Sequence, residues 1–161
     1  MENLVETCKK SAVNGMEMFL RNFSKVPDDK LTWTPTPTSK SPIRVAAHTA
    51  LYAGRFASML REGKLPAPEN LDEWIAKNLA EEIALTDRKE MEAVFRKGTE
   101  EVLAALDALP PEAVESTLES GQGWSAPMTW LMKLPGWHAT LHTGQIDYIQ
   151  TCWDDQEIYV G

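Results

Sequence analysis

Residues 41–61 read SPIRVAAHTALYAGRFASMLR, and this stretch sets the expected fold. Ser41-Pro42 supplies an N-cap and a proline at the first helical position, where the missing N–H costs nothing. Val45, His48, Tyr52 and Met59 then fall on one helical stripe, so a helix is expected to about Arg61 with His48 turned toward the interior. Gly63, Pro66 and Pro68 stop it.

Working outward, Leu4, Cys8, Ala12, Gly15, Phe19 and Phe23 repeat with a 3.6-residue period and predict a helix from Glu2 to Phe23, closed by Pro27. The run from Val26 to Pro42, with Trp33-Thr34-Pro35-Thr36-Pro37 at its centre, favours extended backbone and reads as a loop ordered by Trp33. Asn70 with Glu73 resembles a capping box, and Leu71, Trp74, Ile75 and Leu79 predict a short helix after it. Thr86-Asp87 can cap a longer helix lined by Met91, Val94, Phe95, Gly98, Val102, Leu106 and Leu109, which Pro110-Pro111 ends. Val114 to Gly123 has no period, and Gly121-Gln122-Gly123 reads as a turn with room for a small β-hairpin. Ser125-Ala126-Pro127 opens a last helical pattern to about Trp153, which Leu134-Pro135-Gly136 should kink or split. Four principal helices, one short extra helix and no βαβ unit predict an all-α four-helix bundle, with residues 1–161 forming one domain.

Composition narrows the function. The 161 residues are 43% hydrophobic and 25% charged, which fits a packed globular core and excludes a disordered chain or coiled-coil rod. Sixteen Lys and Arg against 24 Asp and Glu leave a formal charge of −8, so phosphate backbones are repelled and nucleic acid is a poor partner. Two cysteines, Cys8 and Cys152, provide neither a disulfide framework nor a C-x-x-C pair. An acidic N-terminus, and no apolar run near the ~20 residues that span a bilayer, predict a cytoplasmic protein without a membrane partner.

The chemistry is carried by three histidines. His138 and His142 are four residues apart, which places both rings on one helical face, and His48 lies on the inward stripe of the second helix. Three neutral imidazoles meeting in a bundle core suit Zn, Ni or Fe(II) with a position left open. The alternative is that each is a hydrogen-bonded core residue or a surface accident. His138 is followed by Ala139, so the general base of an H-E-x-x-H zinc protease is missing.

With Trp33-x-Pro35 before Ser41-Pro42-Ile43, His48 in the second helix and His138-Ala139-Thr140-Leu141-His142-Thr143-Gly144-Gln145 in the last, the chain resembles the DinB-like (DinB/YfiT) superfamily over nearly its full length. The resemblance implies a four-helix bundle with up-down-down-up connections, usually dimeric, in which His48, His138 and His142 match the family's divalent-metal ligands. It also implies two kinds of activity: thiol-dependent transfer with bacillithiol, mycothiol or a similar cofactor, and thiol-dependent maleylpyruvate isomerisation. Pro135, three residues before His138, departs from the unbroken helix often found there.

Four more residues are candidates. Gln145, three beyond His142 on the same face, could hold an imidazole or a metal-bound water, or serve helix packing. Tyr52 and Arg55, one and two turns past His48, could donate a proton and clamp a carboxylate, or sit at the solvent rim. Trp137 could wall a substrate or thiol pocket or a dimer contact. Cys152 and most of the six tryptophans read as packing residues, and Cys8 as a buried small hydrophobe. The functional reading is a metal-dependent transferase joining a low-molecular-weight thiol to a small electrophile; the alternatives are a metal-dependent hydrolase or a non-catalytic bundle.

Overall fold

The computed structural model describes residues 3–159. Four long helices build the bundle: α1 (Leu4–Phe23), α2 (Pro42–Glu62), α4 (Arg88–Asp107) and α6 (Met128–Thr151). A shorter α3 (Leu71–Ala84) and the single-turn α5 (Pro111–Val114) lie between them, with one 3-10 turn at Asp28–Lys30. Around the bundle each long helix packs on two others, in the order α1, α6, α2, α4 and back to α1.

Helix starts follow local chemistry. Asn3, Asn70 and Asp87 each accept a backbone N–H of the first turn, satisfying donors that the helix leaves unpaired. The first helix therefore begins at Leu4; the Glu2 expected to open it lies outside the described residues. Gly63 ends α2 in the left-handed region (φ 60°), which glycine adopts without strain. Arg88 donates to the carbonyls of Phe23 and Val26, closing the end of α1.

The small hairpin forms. β1 (Thr117–Glu119) pairs antiparallel with β2 (Ser125–Pro127). This corrects the expected start of the last helix: Ser125–Pro127 is committed to the ladder, and α6 begins at Met128, whose N–H donates to Ser116 O. At Pro135 one of the two expected outcomes, the split, is excluded. The last helix is not split there; α6 runs unbroken from Met128 to Thr151 with Pro135 inside it. A proline in a helix interior costs about 3 kcal/mol or more, and here the surrounding packing offsets it. Pro135 and Gly136 are both buried, and Gly136 lies so close to α1 that a Cβ built on it would fall 2.1 Å from Ser11 Oγ.

The core has two apolar clusters, one around Phe19, Phe23, Met91, Phe95 and Ile146, the other around Phe56, Leu60, Val102, Leu106 and Leu131. Alanines 46, 47, 50, 53 and 57 are all buried on α2 and let its neighbours approach closely. None of the six tryptophans is fully buried, against the expectation that most are core. Their size suits half-burial, as where Trp33 meets Trp153 edge-on at 5.5 Å and orders the 26–42 loop. Cys8 is core, but Cys152 is exposed rather than packed.

Helix α3 is unusual. Its apolar residues Leu71, Ile75, Leu79 and Ile83 point to solvent, and Glu82 is its one fully buried residue. The inward stripe is instead Trp74, Asn78, Glu81 and Glu82. Among the described residues no helix is long and apolar enough to cross a membrane.

Candidate metal centre

His48 comes from α2 and the His138/His142 pair from α6, two helices that pack on each other and each contribute to both apolar clusters. The four-residue step stacks the α6 rings on one face, and that face meets the stripe of α2 that carries His48. His138 Nε2 lies 3.2 Å from His48 Nε2 and 3.1 Å from His142 Nε2. Donor atoms on one ion at ~2.0–2.1 Å stand about 2.9 to 3.4 Å apart in octahedral or tetrahedral coordination, so these two separations suit a shared cation. The three donors together lie within 4.8 Å of one another, and the outer two rings would draw inward to share an ion.

The partners behind the rings decide which nitrogens are free. Glu82 Oε1 lies 2.5 Å from His48 Nδ1, and a carboxylate can only accept, so the proton of neutral His48 sits on Nδ1. Gln145 Oε1 lies 2.6 Å from Nδ1 of His142 and holds that ring in the same way. Both Nε2 atoms then offer bare lone pairs toward His138. Without an ion, neutral His138 can carry its proton on Nε2 and donate it to one of these lone pairs; with an ion, all three Nε2 atoms are free to face it. Among the described residues the histidines form a three-ligand group with no fourth His, Cys, Asp or Glu donor.

Electrostatics keeps the imidazoles uncharged. Burial lowers the His138 pKa to about 2, with His142 and His48 adding to the shift. Burial also lowers His48, against the opposing hydrogen bond that its ring donates to Glu82, and His142, against the one to Gln145. Burial alone would raise Glu82, but hydrogen bonds from Lys40 (2.7 Å) and His48 outweigh it and hold the carboxylate ionised. Neutral imidazole is the ligating form. An ordinary histidine would let protons compete from about pH 6.5; here that competition begins lower.

A stability prediction follows for the metal-free protein. Histidines whose folded pKa lies below the unfolded value of about 6.5 take up protons preferentially in the unfolded chain. Stability is complete above about pH 6.5 and declines as pH falls below it. Urea unfolding of chelator-treated protein at pH 7.5 and 5.5 should show a lower midpoint at 5.5; equal midpoints would mean the rings are not held neutral by burial.

The remaining candidates divide. The Tyr52 ring packs against His48 (centroids 4.4 Å) and His138 (5.2 Å). Arg55 stacks on Tyr52 at 4.7 Å and pairs with Glu81 at 2.7 Å. Its side chain is only 18% exposed, so it is not at the solvent rim. Trp137 stays outside the cluster, 53% exposed beneath the Lys133 ammonium. Cys8 is kept inert by burial, which pushes its thiol pKa up. Two cavities are walled in part by residues adjoining the cluster, though none of the three histidines lines either. One, of about 430 Å³, is walled by Leu51, Arg55, Met59 and Trp74. The other, of about 610 Å³, is walled by Lys40, Val45, Leu141, Gln145 and Tyr148.

Sequence reasoning missed Glu82. It is 34 residues from His48, on a helix whose apolar stripe predicts burial of the opposite face. The available signal was a helical line of Trp74, Asn78, Glu81 and Glu82 beside that stripe.

An all-α bundle carrying a tri-histidine cluster between its second and last long helices is thus the class that fold and site define. The DinB superfamily model matches residues 14–146, and the chain belongs to that superfamily. No curated protein matches the sequence. Among solved structures, the fold is similar to a mycothiol-dependent maleylpyruvate isomerase (TM-score 0.68, 13% identity, covering 91% of this chain and 63% of that one). It is also similar to the DinB-like protein YjoA of Bacillus subtilis (TM-score 0.66, 17% identity, covering 95% and 96%). This chain therefore spans under two thirds of the isomerase.

Proposed function

We propose that the protein binds a divalent metal ion on His48, His138 and His142 and uses a low-molecular-weight thiol to modify a small electrophile. The observation that carries this reading is the convergence of three Nε2 atoms, two of them stripped of protons by acceptors behind the rings. When bound, the ion would supply a Lewis acid able to hold a thiol as thiolate at neutral pH. Three side-chain ligands with no fourth donor among the described residues follow the pattern of catalytic and not closed structural sites. The isomerase whose fold this chain shares is named for its mycothiol dependence, which supports the thiol.

The chain's own residues would then position and shield. Tyr52 covers one side of the His48 and His138 rings, and Phe56 meets His138 edge-on at 5.2 Å, keeping water from that side. Gln145 orients His142 from the wall of the larger cavity, which Leu141 and Tyr148 line with apolar surface. Arg55, held by Glu81, stands in the wall of the smaller cavity. Hydrolysis is the weaker reading, because the nearest carboxylate, Glu82, is already engaged by His48 and Lys40 and has no free role as a base. We take the working form to be a cytoplasmic homodimer, checked by light scattering in solution.

The test is metal analysis of untagged protein, followed by a screen of thiols against electrophiles with loaded and chelator-treated samples. About one ion per chain and thiol consumption only by the loaded form are expected. One tightly held ion with no thiol consumed would favour the non-catalytic bundle.

A further inference from the structure

We propose that Glu82 is a positioning residue of this centre: it fixes the tautomer and angle of the His48 ring and, through the same contact, seats α3 on the site. The inference rests on the metal-binding reading above. An amphipathic helix ordinarily buries its apolar stripe, yet α3 leaves Leu71, Ile75, Leu79 and Ile83 in solvent and buries a carboxylate. Burying that charge is costly unless it is paired and hydrogen-bonded. Lys40 at 2.7 Å and Arg44 at 3.7 Å supply the countercharge, and His48 supplies the directed hydrogen bond. The helix thus gives up its hydrophobic docking face for a polar contact whose target is one of the three clustered histidines.

Ligating histidines commonly donate their other N–H to a carboxylate, which locks ring orientation and makes the coordinating nitrogen more basic; removing such partners costs 10–100-fold in affinity. The coupling is reciprocal. A cation on Nε2 makes Nδ1–H a stronger donor to Glu82, so whatever tightens the centre also tightens α3. With few apolar contacts of its own, α3 belongs to the low-stability end of the fold, where such tightening is measurable by amide exchange.

The experiment compares wild type, Glu82→Gln and Ile75→Ala by chelator competition for Zn(II), by the visible absorption of the Co(II) form, and by hydrogen exchange of residues 71–84 with and without Zn(II). Glu82→Gln should weaken Zn(II) binding roughly 10–100-fold, alter the Co(II) bands and abolish the metal-dependent slowing of α3 exchange. Ile75→Ala should change none of these. If Glu82→Gln does not fold, Glu82→Asp replaces it; this keeps the charge at shorter reach and should give intermediate affinity. Wild-type affinity and an unaltered Co(II) spectrum in the Glu82 variant would overturn the proposal while leaving the metal centre standing. Failure of wild type to bind any ion would overturn both.

Discussion

Replacing His138 by alanine should remove the bound ion while the bundle still folds. His138 is the middle ring of the three, 3.1 and 3.2 Å from the other two Nε2 atoms, so its loss leaves two donors from different helices with no bridge between them. The apo fold should survive because both apolar clusters form without it. Linkage sets the size of the effect. An ion present at 1,000 times its dissociation constant stabilises by about 4.1 kcal/mol, and 1 kcal/mol moves the melting temperature by roughly 2–4 °C in a chain of this size. Zn(II) at that excess should therefore raise the wild-type melting temperature by about 8–16 °C and leave His138→Ala unmoved. Calorimetry with and without chelator checks it; stoichiometric metal in the variant would end the tri-histidine assignment.

Gly136→Ala should be the most damaging small substitution in the chain. Its new Cβ would lie 2.1 Å from Ser11 Oγ, which can rotate away, but also 2.8 Å from the Ser11 carbonyl carbon and oxygen, which cannot. Alanine ordinarily gains up to about 1 kcal/mol over glycine inside a helix; here overpacking reverses the sign, with an expected net loss of about 1–3 kcal/mol. Gly144→Ala, on the same helix with nothing within 4 Å, is the control and should be neutral or stabilising. Urea unfolding gives both values. Equal midpoints for the two variants would show that α1 and α6 separate at no cost.

Much of the bundle is legible in the sequence because its helices keep a clean period and carry local signals. Asn70 and Asp87 cap their helices, Pro42 at the first helical position marks the start of α2 although the Ser41 side chain makes no capping bond, and Gly63 marks a stop. The histidine triplet is legible for the same reason, since a four-residue step and an inward stripe fix faces before any tertiary contact is known. The exceptions share a cause, in that tertiary packing overrides a local rule. Pro135 would break an isolated helix, but contact with α1 holds α6 together. The α3 stripe promises burial, yet it stays exposed among the described residues, and the helix turns its acidic side inward to pair with Lys40 and His48. Cys152, the residue that caps the end of α6, meets solvent where the sequence pattern continues.

The division of the centre between α2 and α6 also orders events during biosynthesis. His48 leaves the ribosome 90 residues before His138, an interval of roughly 5 to 20 s at typical elongation rates of about 5–20 residues per second. Throughout that interval the emerging chain holds a single imidazole and cannot chelate. On the proposed reading, capture of an ion by all three rings would wait for the last long helix to be made and docked, so full loading would report a completed bundle.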